Sequence, residues 1–143
     1  MKGYTDLNQS KKLAEILPLE SADMYWLNRH IDLTETKYEV FVVDKSNKYV
    51  DFFKSYAVAI DNNEIIPCWS LAALLQVSPL GIYDEFDNCD YELEIDMIDK
   101  MPRYIRLGDI YHSQFPYDFE KDTLLDNIVE SIIWLNDNNY FEL

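Results

Sequence analysis

"DYELEIDM", residues 90–97, alternates without a break: Tyr91, Leu93, Ile95 and Met97 fall on one side of an extended chain, and Asp90, Glu92, Glu94 and Asp96 on the other. Successive side chains of a strand point to opposite faces, so this spacing predicts one buried face and one wet face, the pattern of an antiparallel sheet. "DKMP", residues 99–102, makes the turn. "RYIRL", residues 103–107, returns as a strand with Ile105 and Leu107 facing in and Tyr104 and Arg106 facing out. After the loop "YHSQFPYDF", residues 111–119, Asp122 or Thr123 caps a closing helix over about 123–138, whose apolar stripe is Leu125, Ile128, Val129 and Ile132.

Upstream, "IIPCWSLAALLQVSP", Ile65 to Pro79, runs 15 residues without a charge. Proline is harmless in the first turn of a helix and closes one from beyond its end, so Pro67 and Pro79 predict a helix over 67–77. Leu71, Ala72, Leu74 and Leu75 leave it little polar face, which makes it a core element. Nearer the start, Leu7, Leu13, Ala14 and Leu17 recur at helical period; Thr5 or Asp6 caps a helix over 5–17, and Pro18 stops it. "PLESADMYWL", residues 18–27, reads as a turn with a single helical turn capped by Ser21. "KYEVFVV" (37–43) and "YVDFF" (49–53), joined by "DKSNK", read as a β-hairpin, with "YAVAI" (56–60) as a third extended piece. The expectation is a small single α+β domain over 1–143, an antiparallel sheet with about three helices packed on it.

Composition narrows the function classes. With 143 residues and 48% hydrophobic content the chain suffices for one domain with a real core, and three scattered glycines cannot form a phosphate-cradling loop. No apolar run approaches the roughly 20 residues that cross a bilayer, and the first residues carry no signal-type apolar stretch, so a cytoplasmic setting without membrane contact is expected. Cys68 and Cys89 lack metal-ligand spacing and read as reduced thiols. The net charge of −15 is placed unevenly: residues 1–54 carry 8 of 12 basic and 9 of 27 acidic residues, leaving the remainder at −14. That part is unsuited to direct nucleic-acid binding or to an anionic membrane, both of which need clustered Lys and Arg. A partner drawn by charge is basic.

Three stretches resemble a known family. "LNQSKKLAEILPLESADMYW", "IPCWSLAALLQVSP" and "NIVESIIWLNDNNYF" are similar to short, acidic, uncharacterised proteins encoded by phages and mobile elements of gut Bacteroidetes. The likeness covers the first 27 residues, the middle helix and the last helix. It implies a mobile-element origin and a small α+β fold, and it brings no catalytic residue with it.

The residues themselves offer several chemistries. Cys68 and Cys89, with His30 and His112, supply the atoms for nucleophilic catalysis, and a helix N-terminus at Cys68 would lower its pKa, but no local signature joins any pair. A carboxylate pair acting as acid and base is the other enzymatic reading; among 27 acidic residues such pairs arise by chance. "YDEFDNCDYELEID" is rich in oxygen ligands yet lacks the turn glycine of a calcium loop, so no metal or cofactor is expected. What remains is a non-enzymatic interaction protein that binds a basic host or phage protein through Asp90, Glu92, Glu94 and Asp96. Asp126, Glu130 and Trp134 on the outer face of the last helix form a second candidate patch, the alternative for Trp134 being cover by the tail "YFEL", residues 140–143. An accessory role without charge-based binding is the plainest alternative, with Arg103 and Arg106 neutralising the acidic strand from next door.

Overall fold

The computed structural model describes residues 2–30, 36–46, 51–85, 88–106, 114–115 and 121–141. It is an α+β protein with antiparallel sheets and helices packed on them, and its strands are shared between two sheets. The chain divides into two compact units, Gly3–Ala73 and Met1–Lys2 with Leu74–Leu143.

In the first unit, helix α1 (Leu7–Ala14) is capped by Asp6, whose side chain accepts the Gln9 N–H while the Gln9 side chain accepts the Asp6 N–H, a reciprocal capping box. Strands β1 (Met24–His30), β2 (Thr36–Val42) and β3 (Ile65–Cys68) form a sheet in the order β2-β1-β3. The expected hairpin therefore gives way to another pairing. "KYEVFVV" pairs with Met24–His30, which takes in the last four residues, Met24–Leu27, of the stretch read as a turn. Phe52–Ser55 (α2) and Ala57–Asp61 (α3) are short helices rather than extended pieces. Asp51 caps α2 by accepting the Lys54 N–H at 3.2 Å, and the rings of Phe52 and Tyr56, one turn apart, lie 4.8 Å from each other. The aromatic residues that suggested a strand instead build a cluster in which Phe52 lies 4.7 Å from Tyr25, itself stacked on Phe41. Residues 47–50 of the expected hairpin lie outside the described residues.

The uncharged stretch splits. Ile65–Cys68 is the fully buried strand β3, and only Leu71–Val77 is helical (α4). Pro67 fits a strand because Asn28 donates to Glu64 at 2.8 Å, which fixes the alternation: Ile66 and Cys68 turn their backbone to β1, and Pro67 turns its missing N–H to the outer edge. Within α4 only Ala73 and Leu74 are buried, so the apolar core of this stretch is its strand. Trp69, fully buried, follows β3 and donates its indole N–H to Ser21 at 2.9 Å.

In the second unit, β4 (Gly81–Asp84), β5 (Cys89–Asp96), β6 (Met101–Arg106) and β7 (Gln114–Phe115) form a sheet in that order. Helix α5 (Leu124–Asp137) starts at the cap Thr123, whose hydroxyl accepts the Asp126 N–H, and buries the expected stripe of Leu125, Ile128, Val129 and Ile132. It packs against β6. The alternation of β5 holds through Ile95, but the strand ends at Asp96, and Met97 stands 69% exposed in the turn Met97–Lys100. The expectation for the next strand is corrected at its centre: Tyr104 points in and is fully buried, because the register sets it opposite Leu93. A tyrosine suits a core when its hydroxyl finds a partner, and Tyr104 donates to the Pro79 carbonyl at 2.8 Å. Leu107 and most of the 111–119 loop lie outside the described residues, although Gln114–Phe115 form β7.

Candidate functional site

The outer face of β5 carries Asp90, Glu92 and Glu94, all exposed. Their neighbours on that face are fixed by register: Tyr83 beside Asp90, Gly81 and Ile105 beside Glu92, and Arg103 beside Glu94. The expected neutralisation by arginine takes a different form. Arg103 reaches Asp96 at 2.7 Å and Asp99 at 3.1 Å, and Arg106 pairs in register with Tyr91, on the opposite face. Among the described residues, no ion pair joins Asp90, Glu92 or Glu94 to a cation.

Asp96 belongs to the turn rather than to the solvent row. Its carboxylate accepts the N–H groups of Asp99 at 3.0 Å and Ile98 at 2.9 Å as well as the Arg103 guanidinium. These donors, the Asp99 N–H foremost, hold its carboxyl below the usual aspartate range. Lys100 in the left-handed region, φ 56°, completes the reversal.

The patch expected on α5 disperses. Leu135 of this helix joins Ile82, Tyr91 and Tyr104 in one core cluster, which puts α5 on the sheet face opposite Asp90, Glu92 and Glu94. Trp134 is half-buried against that cluster and stacks on Tyr140 of the tail, with ring centroids 5.6 Å apart. Asp126 pairs with Lys2 at 2.7 Å, and Glu130 is half-buried. Of the seven residues singled out, three therefore share one exposed row.

Cys68 lies in a strand and not at a helix start, so the dipole argument for an activated thiol fails. Burial pushes its thiol pKa up, and the Sγ faces the Thr5 hydroxyl at 3.5 Å and the Thr5 carbonyl at 3.4 Å. His112 and the His30 side chain lie outside the described residues. Among the described residues no three His, Cys, Asp or Glu side chains gather as a metal site, and no helix is long and apolar enough to cross a membrane.

Along β4 lies a groove that the sequence reading missed. It has a volume of about 1200 Å³ and runs between β4 with the segment leading into it and the tail at Asn138–Phe141. Tyr140 closes part of its floor by donating to Asp84 at 3.3 Å. Protein-family models, curated proteins and solved structures gave no match to this chain. The site is thus read from its geometry. The signal in the sequence was "GIYD", residues 81–84: a short alternation before the turn residue Asn88, whose φ is 53°. Four residues are too few to declare a strand without the partner that pairs with them.

Proposed function

We propose that this chain is a non-enzymatic protein-binding module of a phage or mobile element, whose acidic sheet face engages a basic protein of host or phage. The observation that carries the reading is the row Asp90, Glu92 and Glu94, exposed along one strand and joined to no described cation. An ion pair already made within the molecule gains little from a partner, whereas an unpaired row raises the local potential and steers a basic surface toward it. Same-face carboxylates stand roughly 6.8 Å apart along a strand, half the axial charge density of one DNA strand, which favours a basic protein surface over mimicry of a nucleic acid.

The test is Glu92→Lys with Glu94→Lys. Both side chains are exposed, so the variant is expected to fold normally and to lose its basic partner, chiefly through slower association. Capture from host lysate is compared at about 0.05 M and about 0.5 M salt, between which the Debye length shrinks several-fold. Undiminished capture by the variant, or wild-type capture indifferent to salt, sinks the reading.

A further inference from the structure

Among the described residues β4 is an edge strand, with β5 on one side and no strand on the other. Leu93 donates to the Leu80 carbonyl at 2.8 Å, which fixes the phase of the β4–β5 ladder. In an antiparallel pair, residues alternate between exchanging both bonds and exchanging none, so Leu80, Ile82 and Asp84 turn their backbone to β5. Gly81 and Tyr83 turn theirs outward. No hydrogen bond joins their outward N–H and C=O groups to another described residue, and the edge is accessible: Tyr83 is 49% exposed and Leu80 beside it 80%. The groove runs along this edge, and its charged lining, Asp84 and Glu85, is acidic throughout.

We propose that this edge takes an extended segment of a basic partner as an added antiparallel strand, one face basic and the other apolar. The proposal rests on the acidic-row reading and gives it a binding mode. Backbone pairing at Gly81 and Tyr83 supplies affinity, and the side-chain alternation supplies selection. Residues of the added strand opposite Gly81 and Tyr83 share the outer face with Glu92 and Asp90, which register places directly behind them on β5. Gly81 has no side chain, so a long basic side chain opposite it lies across the gap toward the Glu92 carboxylate. Alternate residues turn to the groove side, where Val77, Leu80 and Phe141 offer apolar contact. A second copy of this chain is the wrong occupant on charge: each copy carries −15, and pairing β4 with itself would set two rows of Asp90 and Glu92 on one continuous sheet face.

The experiment uses the full chain and three heptapeptides of sequence Lys-Val-Lys-Val-Lys-Val-Lys: unmodified, N-methylated at the lysines, and N-methylated at the valines. All carry the same charge. In the proposed register the lysine N–H groups face β4 and the valine N–H groups face away. The unmodified and valine-methylated peptides are expected to bind, the lysine-methylated one about tenfold more weakly from lost backbone bonds. Exchange of the Gly81 and Tyr83 amides with solvent should slow about tenfold at saturation. Tyr83→Pro removes an outward donor without touching the β5 ladder and should bind like wild type does the lysine-methylated peptide; the peptide arms decide the matter even where that variant does not fold. Equal affinity for all three peptides, unaltered Gly81 and Tyr83 exchange, no binding up to about 1 mM, or a dimer of the chain that Tyr83→Pro dissolves would each overturn the proposal. If the Glu92→Lys, Glu94→Lys protein binds the unmodified peptide undiminished with both amides still protected, the acidic-row reading falls and strand addition stands. If that protein loses binding while lysine methylation is harmless, the reverse holds.

Discussion

Tyr104 sits at the centre of the second sheet, fully buried with its hydroxyl on the Pro79 carbonyl, and burial pushes its phenol well above the ordinary value near 10. The folded state therefore keeps a proton that the unfolded chain releases. The stabilisation is complete below about pH 10 and is lost as pH rises through the folded value. Tyr104→Phe is expected to cost about 1 kcal/mol at neutral pH, from the lost bond and the carbonyl left unpaired. It should also flatten the decline of stability above about pH 10. Urea denaturation at neutral and alkaline pH measures both, and an unchanged alkaline slope would contradict the assignment. The side chain's inward aim was not legible in "RYIRL", where Ile105 and Leu107 are the more apolar pair. What decided it was the partner strand, since a one-residue change of register turns every side chain to the other face.

At the scale of elements, the uncharged stretch shows how one run of residues serves two structures. Ser70 stands at the joint between β3 and α4 and binds both ways: its hydroxyl and N–H donate to the Asp23 carboxylate at 2.5 and 2.8 Å, and the hydroxyl accepts the Ala73 N–H at 3.2 Å. Ser70→Ala removes a helix cap and leaves a half-buried carboxylate short of a donor, so a loss of about 1–2 kcal/mol is expected. Ser70→Asp, which keeps a capping oxygen but sets a second charge against Asp23, should be no better. Guanidinium unfolding of the two variants checks this; a loss confined to a few tenths would mean the joint is held elsewhere. Pro67 misled the sequence reading because the same missing N–H suits a helix start and an outer strand edge, and only the pairing with β1 separates the two. The closing helix was legible throughout, cap and stripe alike, because a 14-residue amphipathic helix carries its period within itself.

For the whole molecule the excess of acid is the governing quantity. Like charges at −15 repel one another in the folded state, and 12 basic residues cannot balance 27 acidic ones even where they pair on the surface, as Arg29 does with Glu39 at 3.4 Å. Stability is therefore expected to rise between about 0.05 M and about 0.5 M sodium chloride, read as a higher urea midpoint at unchanged slope. A fall would mean that the ion pairs outweigh the repulsion. The sequence by itself determined the α+β class, the wet and dry faces of β5, the last helix and the acidic exposure of Asp90, Glu92 and Glu94. Each of these is written in residues within a few positions of one another, where side-chain period alone fixes which face is buried. Only the tertiary structure decided that β1 pairs with β2 while Phe52–Ser55 coils into a helix, that Tyr104 turns inward, that Arg103 deserts Glu94 for Asp96 and Asp99, and that β4 leaves Gly81 and Tyr83 without a backbone partner among the described residues, along a groove. Those are choices of partner between segments distant in the chain, and a backbone hydrogen bond carries no sequence label, so the partner emerges from packing.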